Sequence, residues 1–387
     1  MKILFSTEKY PTPDMPFAAF VAELCRELTR QGHEITVISP QSITPWLRGK
    51  GKLIPRFLIE KVECGNEYRD IGIYSPYYIS ISNNSLSQKI SIWIRNMVVR
   101  RAARKLDKPD VCYAHFWTNG DSIANYARKN NIPLFIATGE DTIYVHHQMS
   151  KKRVSYIKEN TKGVICVSTK NLEESVNVGF ADTNDCIVLP NAVDDKLFYQ
   201  RDKKSSRQEL GFNEDDFIVA FVGRFDNRKG VKRVSDAIKS IADPQIKSIF
   251  IGGSEFGSSE QPDCEGILFK GRLPHEKIPI YLSASDVFVL PSLAEGCSNV
   301  IVEAMACGLP IISSDLPFNY DILDKNNSFL INPKDVKAIA YHINLLKNDK
   351  KLCAKMGENA LLTTSSLTLS NRASKIIEFI KTKTSKK

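Results

Sequence analysis

The sequence predicts an α/β protein of two domains, each built on a mostly parallel sheet covered by helices. Three observations carry this expectation. The chain has 387 residues, and single hydrophobic cores stop growing at roughly 250 to 300 residues. Short β-rich apolar runs alternate with helical patterns through most of the length, as in sheets whose crossover helices cover both faces. The alternation is interrupted by a polar, charge-dense stretch at 194–216, which includes Asp202, Lys203, Lys204 and Arg207, and then begins again. This stretch reads as a linker, so the domains are placed at 1–195 and 196–369, with 370–387 as a final helix.

In the first domain, strands are expected at 2–6, 34–39, 111–114, 134–138 and 163–167. Between the first two, Phe17, Phe20, Val21, Leu24 and Leu28 recur at helical spacing, and Gly32 ends that helix just before the next apolar run. In the second domain, strands are expected at 217–222, 247–251, 267–269, 287–290 and 310–313. Two such sheets leave a cleft between them, and ligands of open parallel sheets sit beyond the carboxyl ends of the strands. The chemistry is therefore sought in strand-to-helix loops.

Composition narrows the class. A hydrophobic share of 42% with 25% charged residues suits a packed soluble chain rather than a disordered or membrane-embedded one. No apolar run approaches the about 18 residues that span a bilayer, and the start has only Ile3, Leu4 and Phe5 before polar residues return, so neither anchor nor signal peptide is expected. The nine cysteines stand singly in apolar contexts without C-x-x-C spacing. They read as buried thiols of a cytoplasmic protein, not as metal ligands or a redox pair. The net charge of +9 suggests an anionic partner and leaves nucleotide, phospholipid surface and nucleic acid open. No nucleic-acid-reading motif accompanies the basic residues. Gly252 and Gly253 followed by Gly257 do not give the G-x-G-x-x-G spacing of a dinucleotide site.

The most informative segment runs over 289–310. A strand ends at Leu290, a loop with Gly296 follows, a helix starts near Ser298, and Gly308 with Pro310 stops it. A helix start behind a glycine loop offers free N–H groups and the positive end of the helix dipole to a phosphate. Glu303 stands four positions after Asn299, on the same helical face, where a carboxylate could take both hydroxyls of a ribose. Among its apolar neighbours Glu303 needs a partner, which a ligand or, less favoured, a structural ion pair could supply. Glu295 reads either as a ligand or as a solvated loop carboxylate. A second segment, 220–230, opens a strand into a loop that holds Gly223, Arg224 and Lys229. Two fixed cations there would stabilise the charge that gathers on a departing diphosphate. In the first domain His115 ends a strand beside Phe116 and Trp117, where it could contact a sugar hydroxyl, shuttle a proton, or be a satisfied buried histidine.

Together these pieces resemble the family 4 glycosyltransferases, the retaining family of the GT-B fold, over nearly the whole chain. The resemblance is strongest over 269–315, where Gly271, Arg272, His275, Glu276, Pro291, Ser292, Glu295, Gly296, Glu303 and Ala304 stand in family order. It implies two Rossmann-like domains facing across a cleft, with the final helix crossing back onto the first. It makes Arg224 and Lys229 a diphosphate-binding pair. Glu303 becomes the ribose ligand, and Glu295 with the backbone of Gly296, Cys297, Ser298 and Asn299 the contacts to donor sugar and phosphates. His115 would line the sugar site, and Thr138, Gly139, Glu140 and Asp141 form the loop facing the cleft. The candidate catalytic set is thus His115, Arg224, Lys229 and Glu295, and the donor-binding set is Gly223, Arg272, 296–299 and Glu303, with no metal. Two segments depart from the family pattern: the first strand-to-helix loop lacks a glycine pair at 15–19, and the acidic loop at 315–321 is altered, leaving Asp321 a weak candidate.

The expected reaction moves a hexosyl-type sugar from a UDP- or GDP-linked donor to a saccharide or lipid-linked saccharide, as in surface polysaccharide synthesis. Arg224, Lys229 and the helix start supply positive charge, so no cofactor or metal is called for. The alternative is an inactive nucleotide-sugar-binding protein of the same fold. Two stretches of the first domain, 48–61 and 90–108, are basic and apolar together. An amphipathic basic helix there can lie on the inner face of the cell membrane, or can be a solvated face with its other side in the core.

Overall fold

The computed structural model describes residues 1–11, 19–81, 85–254 and 260–385. The chain forms two compact units, Met1–Leu189 with Arg372–Lys387, and Pro190–Asn371. The altered glycine-pair loop lies outside the described residues except for Ala19, and so does Phe17.

The first unit holds an eight-stranded sheet in the order Cys186–Val188, Thr161–Cys166, Leu134–Thr138, Val111–His115, Lys2–Ser6, Glu34–Ile38, Glu67–Tyr74, Phe57–Cys64. Val111–His115 and Leu134–Thr138 are buried along their whole length, as central strands covered on both faces must be. The last pair at the edge is antiparallel. It corrects the helical reading of 48–61: residues 57–61 begin a strand, and Gly49, Gly51 and Pro55 precede it. Gly65 at φ +69 makes the two-residue turn that joins this strand to its partner. The other basic stretch does contain a helix, Ser85–Ala103.

The final helix, Leu369–Ser385, is part of this first unit from Arg372 onward. Ala373, Ile376, Ile377 and Ile380 share one core with Ile3, Phe5, Val21, Leu24 and Val37. Arg372 donates to the Leu189 carbonyl. The helix seats closely because position 163 is glycine: a Cβ there would stand 2.6 Å from the Phe379 ring and 2.9 Å from Phe135.

The second unit holds a six-stranded parallel sheet in the order Ile267–Gly271, Ile246–Ile251, Phe217–Val222, Val287–Leu290, Ile311–Ser314, Ser328–Ile331. Counting along the chain this is 3-2-1-4-5-6, the doubly wound order, and it reverses between Phe217–Val222 and Val287–Leu290. The boundary between the units falls at Leu189/Pro190 because Asn191 donates to the Cys297 carbonyl (2.9 Å) and Val193 bridges Thr368. The charged stretch at 202–207 is not a linker. Asp202 caps the helix Lys203–Leu210 through the Ser205 N–H, and buried Arg207 is paired with Asp286 at 2.7 Å.

All nine cysteines are free thiols. Among the described residues no helix is long and apolar enough to cross a membrane.

Ile376 is fully buried in the first unit. Ile376→Ala should therefore cost the first unit about 2–5 kcal/mol, measured as a lower urea midpoint; an unchanged midpoint would contradict the core position of this helix.

Candidate functional site

The reversal of strand order brings the two informative loops side by side. The loop 223–230 leaves Phe217–Val222 and the loop 291–298 leaves the neighbouring Val287–Leu290. They are stitched along their backbones: Leu293 N–H donates to the Arg228 carbonyl at 2.8 Å, and Arg228 Nη1 returns a bond to the Ala294 carbonyl at 2.6 Å. At the crossing Lys229 Nζ donates to Glu295 Oε1. Ser292 Oγ donates to the same oxygen at 2.6 Å, and Arg228 Nη1 lies 3.5 Å from Oε2. Glu295 is buried, so its charge depends on these partners. The solvated-loop reading of Glu295 is thereby excluded.

Arg224 is half exposed, with Nε 3.2 Å from Asp226 Oδ2; Asp226 also accepts from the Lys229 N–H at 2.8 Å. Gly223 gives its N–H to the Ile251 carbonyl (2.9 Å), and a Cβ on Gly252, at φ +142, would stand 1.8 Å from the Gly223 carbonyl oxygen. Only glycine fits there. Arg272 donates to the Ser254 carbonyl at 3.2 Å, beside Gly253, two strands away from the Lys229–Glu295 pair.

The helix Asn299–Ala306 starts at Ser298 without a side-chain cap. Ser298 Oγ and Asn299 Oδ1 are buried and have no hydrogen-bond partner among the described residues. The helix after the first loop, Val231–Ile241, also begins without a side-chain cap, at Gly230. Two helix starts without side-chain caps, beside a cluster holding Arg224, Arg228 and Lys229 against Asp226 and Glu295, favour an anionic ligand. One turn into Asn299–Ala306, Glu303 is buried with Oε1 bonded to His275 Nε2 at 3.0 Å, while Oε2 has no partner among the described residues. The Phe198 ring lies 5.0 Å from the His275 ring.

Sequence reasoning singled out both loops and both glutamates but gave no role to the side chains that hold them, Arg228, Ser292 and His275. Arg228 adjoins Lys229 and could have been found as a third cation of that loop. The pairing of His275 with Glu303 spans 28 positions and has no local signal. In the altered loop, Asn319 is buried and donates to Ser314 carbonyl at 2.7 Å, while Tyr320 OH donates to Asp315 at 3.0 Å.

In the first unit His115 ends a strand beside the central Lys2–Ser6. Its ring is buried between Phe20 (5.0 Å) and Phe116 (4.6 Å), and Nδ1 has no hydrogen-bond partner among the described residues. Burial, helped by the positive Arg372, pushes its pKa down to about 3, so the ring is a neutral imidazole at ordinary pH. Phe116 has φ +72, a strained conformation for a bulky residue. Asn119 holds the turn through the His115 carbonyl (2.6 Å), and Glu140 accepts the Trp117 N–H (3.1 Å) and Thr138 Oγ1 (2.6 Å). Burial raises the Glu140 carboxyl above its usual range.

Comparison with known proteins agrees with this architecture. Residues 202–362 match the model for glycosyl transferases group 1, and residues 18–197 match the model for Glycosyltransferase Family 4. A Bacillus subtilis protein named for teichuronic acid biosynthesis, the glycosyltransferase TuaC, is 28% identical over 360 residues, 90% of each chain. The Escherichia coli UDP-Gal:alpha-D-GlcNAc-diphosphoundecaprenol alpha-1,3-galactosyltransferase is 27% identical over 267 residues, 64% of this chain and 69% of that one. Among solved structures, Anabaena HepE in complex with UDP-glucose superposes with a TM-score of 0.70 at 20% identity, covering 99% of this chain and 100% of that one.

The His115 environment has a consequence for acid stability. A histidine with a depressed folded-state pKa stays neutral while its unfolded counterpart takes up a proton below about pH 6.5, so stability falls as pH drops through that value. Between pH 7 and pH 5 this residue alone should remove about 2 kcal/mol. His115→Asn should flatten that slope in urea titrations at the two pH values; equal slopes would mean that the imidazole is not held neutral.

Proposed function

Since the chain belongs to the family 4, group 1 glycosyltransferases and has the GT-B fold, we propose that it transfers a hexosyl-type sugar from a nucleotide diphosphate donor to a saccharide or lipid-linked saccharide, with retained anomeric configuration. The observation that carries the donor reading is the pairing of an uncapped helix start, at Ser298 and Asn299, with the cations of the neighbouring loop.

In this reading the diphosphate of a UDP- or GDP-linked sugar sits on the N–H groups of 296–299, with Arg224 and Lys229 beside it. Bond breaking gathers negative charge on that diphosphate, so the fixed cations stabilise the transition state more than the ground state. Glu295 acts on Lys229, holding the ammonium in place. His275 fixes one oxygen of Glu303 and leaves Oε2 to accept from a ribose hydroxyl. A neutral His115 can take or give a single hydrogen bond to a sugar hydroxyl. Retention follows if the incoming hydroxyl attacks on the face from which the diphosphate departs and gives its proton to the departing phosphate. No metal ion enters this scheme. The names of the relatives favour surface polysaccharide synthesis, and nine free thiols suit a reducing cytoplasm.

A panel of nucleotide sugars scored by thermal shift identifies the donor, because a ligand of the folded state stabilises it by about 2.7 kcal/mol at a hundred times its Kd. Glu303→Ala should weaken nucleotide binding about 10- to 100-fold. Arg224→Ala should lower kcat about 100-fold. Unaltered kinetics in both variants would refute the donor site. Retention is checked separately by NMR of the first-formed product, where the opposite anomer would exclude it.

A further inference from the structure

The helix Ser85–Ala103 buries Val99 and Ala103 in the core at its far end, but one turn earlier it points polar side chains inward and apolar ones outward. Arg95 is only 8% exposed and gives Nη2 to the Thr118 carbonyl (2.7 Å) and to Ser122 Oγ (3.0 Å). Next to it, Asn96 donates to Asp121 at 2.5 Å and accepts from Ser122 at 2.7 Å. Polar groups thus face inward, onto the helix Trp117–Lys129. The outward stripe at helical spacing is Ile90, Trp93 and Met97, continued by exposed Arg101 and Arg104. Trp93 is 60% exposed. Along that part of the helix an amphipathic surface helix would normally cover the apolar stripe.

The stripe does not stand alone. Ser91, on the same helix, bonds both the N–H (2.8 Å) and the carbonyl (3.2 Å) of Ile81. Thr44 is tied to the Ser80 backbone on both sides (2.9 and 2.7 Å). These bonds set exposed Ile79 and Ile81 against the helix, and Trp46 and Leu47, 49% and 59% exposed, beside them. Charge supplies a second observation. Residues 41–56 and 75–106 contain ten Lys and Arg and no Asp or Glu. Arg48, Lys50 and Lys52 directly follow Trp46 and Leu47 and are exposed.

We propose that this face of the first unit docks on an anionic phospholipid surface, with Trp46, Trp93 and the neighbouring aliphatic side chains entering the headgroup region and the surrounding cations facing lipid phosphates. Tryptophan at the interface, short apolar insertion and an acid-free basic surround are the features such a surface selects. The inference goes beyond the transfer reaction and does not depend on it.

The chain provides its own probe. It has three tryptophans, and the third, Trp117, is fully buried and stacked on Phe180, so the environment-sensitive part of the fluorescence comes from Trp46 and Trp93. Vesicles of phosphatidylcholine containing phosphatidylglycerol should shift the emission to the blue and pellet the full chain; vesicles of phosphatidylcholine alone should do neither at the same lipid concentration. Trp46→Ala with Trp93→Ala should weaken pelleting at least about tenfold. Arg101→Glu with Arg104→Glu should remove the preference for anionic vesicles, as should high salt. The same variants should keep the circular-dichroism spectrum and the urea midpoint of the unaltered chain, which shows that they are folded. Equal binding to both vesicle types, or binding unaffected by either pair of substitutions, would overturn the proposal. So would a dimer in light scattering that disappears in the double tryptophan variant, since the face would then belong to a second copy.

Discussion

A doubly wound sheet can hold an anion at its reversal point only if two loops that set out toward opposite faces are tied to each other. In the second unit the tie is the ion pair of part-buried Lys229 with buried Glu295, framed by the backbone bond from Leu293 to Arg228. A buried carboxylate is costly unless fully partnered, and Ser292 with Arg228 completes its shell. Lys229 is thereby immobilised by the fold itself, so the conformational entropy of a long side chain is already lost on folding. The uncapped helix start next to it adds donors that are fixed by the backbone.

The first unit solves a similar problem with strain. The turn after Val111–His115 requires a left-handed conformation of Phe116, at a cost of about 1–3 kcal/mol. Hydrogen bonds from Asn119 and to Glu140 on either side of the turn offset it. The outcome is a buried imidazole held between Phe20 and Phe116, with Nδ1 left without a hydrogen-bond partner among the described residues.

Much of this was legible in the residues because parallel strands and helix starts are local events. Each expected strand lies on an observed one, and the glycine at 296 marked the loop that leads into the helix Asn299–Ala306. What stayed hidden was non-local. The edge hairpin was obscured by the basic residues at 48–56, although the two-residue turn at Gly65 marked it. Asp202–Arg207 looked like a solvated linker because its charges are dense, yet Arg207 is buried by a partner 79 positions away. Helical periodicity alone could not tell that Ser85–Ala103 turns Arg95 inward and Trp93 outward; only the polar side chains of a second helix decide that. His275 and Glu303 likewise meet through tertiary packing that no window of sequence contains.

The discontinuity of the first unit bears on how the protein is made. A ribosome emits residues in order, at about 5–20 per second, and the helix that completes the core around Ile3 and Phe5 follows the entire second unit. The first unit must therefore wait, with the apolar side chains that Ile376, Ile377 and Ile380 will cover still exposed, while Pro190–Asn371 is synthesised and folds. Its nascent form is a natural client for chaperones, and premature release of the chain would leave a completed second unit attached to an unfinished first one.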